Sequence, residues 1–263
     1  MEWFNNLDYY IQALIATLFT YFITMLGASI VLFIKKVNKN FMDAMLGFSA
    51  GLMIAASFFS LIKPAITMSE SLKLIPWIVL TIGFLGGGLL LFTGDKIFDK
   101  VTKNNENSSK MKRCLMIMVS ITLHNIPEGM AIGVAFGSLK YGIDGANLAA
   151  ACMLALGIGI QNFPEGAAIS LPLRRDGFSR KKAFFLGQIS GIVEPISGVI
   201  GALLVMKIRI LLPYLLAFAA GAMIYVVVEE LIPESQTNKR KEIMALFTLI
   251  GFTLMMVLDL SLG

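Results

Sequence analysis

"LHNIPEGMAIG", residues 123–133, sets a histidine, an asparagine, a proline and a glutamate inside an apolar run of the chain. His124 is the one histidine among 263 residues. The run that holds it, residues 113–138, is long enough to cross a bilayer, which takes about 20 helical residues. Ionisable groups at such a depth are costly and carry function by default. The fold therefore turns on whether the rest of the chain is built in the same way.

The composition says that it is. With 57% hydrophobic and 15% charged residues and a mean hydropathy of +0.78, the chain is too apolar for a soluble domain of this length. Apolar runs at residues 10–34, 41–62, 75–97, 113–138, 147–172, 183–206, 211–232 and 243–262 predict an all-α polytopic membrane protein of eight spans. The first run lacks a basic leader and reads as a retained span. The longest polar interruption, "KVTKNNENSSKMKR" at residues 100–113, is too short to hold a core. One membrane domain, residues 1–263, is expected.

Charge gives the orientation. Of the 22 Lys and Arg residues, 17 fall in the odd-numbered connections, around Lys35–Lys39, Lys96–Arg113, Arg174–Lys182 and Lys239–Lys241. Lys63, Lys73, Lys140, Lys207 and Arg209 lie opposite. The positive-inside rule makes the first side cytoplasmic and puts both termini outside, in a cell (plasma or inner) membrane. The pI of 9.2 thus reports topology and supports no nucleic-acid partner. Cys114 and Cys152 fall near opposite ends of their spans, too far apart for a disulfide.

A second copy of the motif, "IQNFPEGAAIS", occupies residues 160–170. Asn125 aligns with Asn162, Pro127 with Pro164, Glu128 with Glu165 and Gly129 with Gly166. On a helix, His124 and Glu128 stand at i and i+4, as do Gln161 and Glu165; Asn125 and Glu128 stand at i and i+3, as do Asn162 and Glu165. Such pairs share a face. The prolines withdraw a backbone donor at mid-helix, which lipid tolerates only where the freed carbonyl faces protein or water. A third motif, "GIVEPISG" at residues 191–198, adds Glu194 at similar depth.

Three carboxylates with no Lys or Arg in the same stretch must be protonated, hydrated or bound to cations, since each costs about 2.5–3.5 kcal/mol at mid-membrane even on the lenient scale. Two divalent cations nearly balance three carboxylates. One imidazole, three amides and no thiolate suit zinc, cadmium, iron(II) or manganese better than copper(I), and the imidazole argues against a calcium or magnesium cage. The metal set read here is His124, Asn125, Glu128, Gln161, Asn162, Glu165 and Glu194, with the metal as transported substrate and no organic cofactor.

Other features admit plainer readings. The 16 methionines fill core or lipid-facing space. "GFLGGG" at residues 83–88 reads as a packing face, and such faces leave a homodimer open. Met53 and Ser60, on one face of span two with Ala56, either pack or line a route from outside. Asp95, Glu229 and Glu230 at the inner ends and Asp259 at an outer end either mark the membrane edge or continue the route.

With HNIPEG at 124–129, QNFPEG at 161–166, GIVEP at 191–195 and an eight-span, both-ends-out plan, the chain resembles the ZIP family of divalent-metal transporters, in particular its bacterial GufA-like branch. "SAGLMIAASFFSLIKPA" in span two and "VVVEELIPES" in span seven extend the resemblance over the whole length. It implies a binuclear centre: His124, Glu128, Gln161 and Glu165 in the principal site, Asn125, Asn162 and Glu194 in its neighbour, with Glu128 and Glu165 bridging. It also implies that metal-bearing helices move against a static bundle. Many relatives have histidine where Gln161 stands, and some have aspartate where Asn162 stands, which implies altered selectivity and a less charged second site here. Histidines usual in the loop between spans three and four are missing.

The expected function is transport of a divalent transition metal, zinc foremost, toward the cytoplasm. A metal-selective channel and a proton-coupled exporter use the same ligands and stay open. An intramembrane zinc protease needs HExxH, which a chain with one histidine does not contain.

Overall fold

The computed structural model describes residues 2–34, 38–102, 109–140, 147–175, 177–205 and 210–262; the side chains at 2, 98, 99, 101, 102, 109–117, 119–121, 123, 124 and 262 are outside that description. After one turn of helix, Glu2–Asn5, eight long helices follow: α1 (Tyr9–Phe33), α2 (Lys39–Ser71), α3 (Pro76–Thr102), α4 (Ser109–Lys140), α5 (Leu148–Arg175), α6 (Arg180–Leu204), α7 (Leu212–Ser235) and α8 (Lys241–Leu262). The described residues contain no strand. Seven of these helices, all but α4, meet the length and hydropathy needed to cross a membrane within the described residues.

Several boundaries differ from the sequence reading, and prolines explain most of them. Span two was expected to stop at residue 62, before Pro64, yet α2 continues to Ser71 through a π-helical stretch, Ser57–Ile62. The wider turn accommodates a residue with no amide hydrogen, and the helix resumes with proline in its first turn. Ahead of Pro233, α7 uses the same device at Val227–Leu231. In α6 a 3-10 turn, Ser190–Ile192, precedes Glu194 and Pro195. By contrast α4 and α5 run through Pro127, Pro164 and Pro172 as single helices. The polar interruption expected at 100–113 is also partly helical, because α3 reaches Thr102 and α4 starts at Ser109.

The connections have local causes. Asn38 caps α2 by accepting from the amides of Asn40 (2.9 Å) and Phe41 (3.4 Å). Gly177, at φ +100°, takes the left-handed conformation that turns the chain from α5 toward α6. There the Ser179 side chain caps α6 at the Lys182 amide, 3.3 Å away.

The helices associate as two groups, α1 with α4, α5 and α6, and α2 with α3, α7 and α8. Glycines set the tightest pairings, because in lipid close backbone packing replaces the hydrophobic drive between helices. A β-carbon on Gly27 would fall 1.9 Å from the Phe163 carbonyl oxygen (α1 on α5), and one on Gly51 1.9 Å from that of Thr248 (α2 on α8). For Gly221 the same atom would lie 1.9 Å from the Phe84 oxygen (α7 on α3), and for Gly133 1.9 Å from the Gly198 oxygen (α4 on α6). Gly83 and Gly87 of the "GFLGGG" stretch likewise face Ala217 and Phe218 of α7, so they pack within this chain and lend a homodimer no support. The two groups meet where α2 touches α5 and α7 touches α4. Met53, Ala55 and Ala56 of α2 there join one buried apolar cluster with Ala167 and Ala168 of α5.

Candidate metal centre

Six of the seven metal candidates have described side chains, and all six are buried, none more than 1% exposed. Asn125 and Glu128 come from α4, Gln161, Asn162 and Glu165 from α5, and Glu194 from the α-helical segment of α6 that follows its 3-10 turn. Helical periodicity places the first five on facing stripes of α4 and α5. The 3-10 turn brings Glu194 to meet them from a third helix.

Hydrogen bonds tie the set across helices. Gln161 Nε2 donates to Glu128 Oε1, linking α5 to α4. Asn162 Nδ2 lies 2.9 Å from each carboxylate oxygen of Glu194, linking α5 to α6. Asn125 Nδ2 donates to the Ser190 carbonyl at 3.1 Å, in the 3-10 turn that presents Glu194. Each amide thus turns its hydrogens to a carboxylate or carbonyl, as an amide beside a carboxylate must. The opposite ends, Asn125 Oδ1, Gln161 Oε1 and Asn162 Oδ1, are buried with no hydrogen-bond donor among the described residues. Buried oxygens without donors are the exception in folded proteins and call for a cation or water.

His124 sits on α4 one turn ahead of Glu128, but its side chain is outside the described ones. Among the described residues, no three His, Cys, Asp or Glu side chains gather into a group able to hold a metal. Glu128 and Glu194 are instead each faced by an amide of α5.

The route candidates fall elsewhere. Met53, Ser60, Asp95, Glu229, Glu230 and Asp259 all belong to the second group, on α2, α3, α7 and α8. Ser60 and Asp259 meet across α2 and α8, the hydroxyl 3.1 Å from both carboxylate oxygens. They line a cavity of about 380 Å³ between the two groups, with Lys63 and Thr67 of α2, Ser138 of α4 and Asn147. Ala131, three residues past Glu128, is part of the same lining. Met53 is fully buried and lies 3.9 Å, by its sulfur, from the Ser49 hydroxyl. Asp95 hydrogen-bonds the Tyr225 hydroxyl, near Glu229 and Glu230 of the α7 π-stretch. Of the two cysteines, Cys152 is a free thiol; the Cys114 side chain is outside the described ones.

Sequence reasoning missed three features. Thr20 of α1 donates its hydroxyl to Glu194 Oε2; the signal was Thr17, Thr20 and Thr24 repeating along one face of an apolar helix. Asp43 of α2 is fully buried, where Asn238 Nδ2 donates to it at 2.7 Å and Ser235 donates to its carbonyl at 2.8 Å. Arg175 of α5 and Glu234 of α7 form an ion pair at 3.2 Å between the two groups. Nothing in their local sequence pairs the last two.

Long apolar helices in two groups, one of which bears a buried carboxylate–amide cluster, define a polytopic α-helical membrane protein. The model of the ZIP zinc transporter family matches residues 103–259. The chain belongs to that family, one of transporters and not of enzymes. It is 33% identical to the zinc transporter ZIP11 of Homo sapiens over 96% of this chain and 97% of that one. To the zinc transporter ZIPB of Bordetella bronchiseptica it is 36% identical, over 91% of this chain and 78% of ZIPB. With the zinc transporter GufA of Myxococcus xanthus it shares 34% identity over 95% and 98% of the two chains.

Proposed function

We propose that this protein carries zinc, and related divalent transition metals such as cadmium, iron(II) and manganese, across a cell membrane toward the cytoplasm. Eight spans with both termini outside make up the carrier, α4 being the eighth crossing. The metal binds at mid-membrane as a binuclear centre: His124, Glu128, Gln161 and Glu165 hold one ion, Asn125, Asn162 and Glu194 the other, and Glu128 and Glu165 bridge.

The observation that carries this reading is the oxygen set itself. Three carboxylates from three helices are buried, and two of them, Glu128 and Glu194, each accept from an amide of α5, the helix that bears the third, Glu165; among the described residues the oxygens of those amides have no donor. A neutral amide orients a carboxylate without adding a charge of its own, so the pair can still present oxygens to a cation. Such a donor set with one imidazole suits zinc. Membership of a family of zinc transporters, with relatives so named along nearly the whole chain, supports the same cargo.

Alternating access follows from the division of labour. The ligands ride on α4, α5 and α6, while Met53, Ser60, Asp259, Asp95, Glu229 and Glu230 stand on the other group as stations for ingress and release. Ligands on one group and route residues on the other fit motion of one group against the other, whereas a fixed filter needs no such division. Uptake of Zn, Cd, Fe(II), Mn and Mg into proteoliposomes tests the reading. Saturable zinc uptake that Glu165→Ala abolishes is expected. Intact transport of every metal by that variant would overturn the site.

A further inference from the structure

The cluster has a participant on α1, a helix that carries neither NxPEG motif. Thr20 of α1 is fully buried. Its hydroxyl donates to Glu194 Oε2, and its carbonyl lies 3.4 Å from the Asn162 amide nitrogen that also bonds Glu194. Among the described residues, the hydrogen-bond partners of the Glu194 carboxylate are therefore Thr20 and Asn162, both neutral. Asn162 is itself a ligand candidate, with an oxygen that has no donor among the described residues.

The neighbouring threonines on the same face behave differently. Thr17 turns its hydroxyl to the Ala13 and Leu14 carbonyls, at 2.7 and 3.2 Å, and Thr24 turns its own to the Thr20 carbonyl at 3.2 Å. Those bonds stay within α1, the usual back-bonding of threonine in an apolar helix. Of the three, Thr20 alone reaches out. Its hydroxyl also lies 3.0 Å from the Thr17 carbonyl, so one hydrogen has two acceptors. Of the two contacts, the one to Glu194 is the one that leaves α1 and crosses to α6.

We infer that Thr20 is a positioning residue of the metal centre: its hydroxyl holds the Glu194 carboxylate against Asn162, so that the two act as one ligand unit. The inference rests on the metal site proposed above. Partners of this kind fix ligand orientation, and their loss typically lowers metal affinity about 10- to 100-fold.

The test uses the full chain in proteoliposomes, with zinc uptake and equilibrium zinc binding measured on Thr20→Val, Thr20→Ser, Thr17→Val and Glu165→Ala. Valine keeps the shape of threonine and deletes the hydroxyl; serine keeps the hydroxyl. Thr20→Val should raise the half-saturating zinc concentration about 10- to 100-fold and lower the maximal rate far less, Thr20→Ser should restore wild-type affinity, and Thr17→Val should match wild type. If Thr20→Val binds zinc normally while Glu165→Ala abolishes uptake, the role of Thr20 is wrong and the site stands. Intact transport by Glu165→Ala brings down the site reading itself. Equal impairment in Thr20→Ser and Thr20→Val assigns the effect to packing and overturns the inference. Should Thr20→Val not fold, Thr20→Ala against Thr20→Ser makes the same comparison, and equal affinities overturn the proposal.

Discussion

Gln161 stands where the two motif copies differ, and replacing it isolates one contact of the centre. The side chain is fully buried. Its amide nitrogen bonds Glu128 Oε1, and its oxygen has no donor among the described residues. Gln161→Leu keeps much of the volume and deletes both functions. Losing a hydrogen bond to a charged acceptor is worth about 1.5–3 kcal/mol. At about 1.4 kcal/mol per factor of ten, zinc should bind roughly 10- to 150-fold more weakly through this contact alone, before the loss of a ligand oxygen is counted. Gln161→His instead restores a donor toward Glu128 and adds a nitrogen ligand, so zinc and cadmium should gain over manganese. The assay is competitive uptake in proteoliposomes, with zinc titrated against a fixed manganese concentration. An unchanged half-saturation in Gln161→Leu would refute the reasoning, because no amide would then be orienting Glu128.

Two further outcomes test the architecture. Gly133→Val would bring a β-carbon to 1.9 Å from the Gly198 oxygen, where ordinary contact begins at 3.4 Å; parting α4 from α6 should destabilise the fold by about 1–3 kcal/mol or more. Gly86→Ala, whose nearest atom would be 3.6 Å away, should unfold like wild type in a detergent melt, and equal melting of both variants would contradict the packing. The Arg175–Glu234 pair is 32% and 23% exposed, so a double-mutant cycle in detergent should give a coupling of about 0.2–1 kcal/mol that fades with salt. A salt-independent coupling well above that range would mean the pair is shielded from solvent.

The motifs were legible because a membrane chain concentrates its chemistry into few polar residues. Against 57% hydrophobic composition, one histidine, two NxPEG copies and a lone mid-run glutamate stand out, and i, i+3 and i, i+4 spacing assigns them to common helix faces. Six of the seven ligand candidates could be followed to buried side chains, and their cross-helix bonds join α4, α5 and α6. Thr20 escaped notice because a threonine in an apolar helix usually bonds its own backbone. The extension of α2 to Ser71 escaped as well, since Pro64 normally signals an end and a π-helical stretch absorbed it here.

By itself, then, the sequence determined the class of protein and the number of long helices, and it singled out the residues proposed to meet a cation, because hydropathy and helical period act locally along the chain. Which helices pair was decided by the tertiary structure, through glycines whose backbones touch partners far away in sequence. That pairing put the ligand candidates on one group of helices and the route candidates on the other, with Ser60 meeting Asp259 at a cavity between the groups. It also set Thr20 against Glu194, 174 residues apart in sequence, a contact no local pattern encodes.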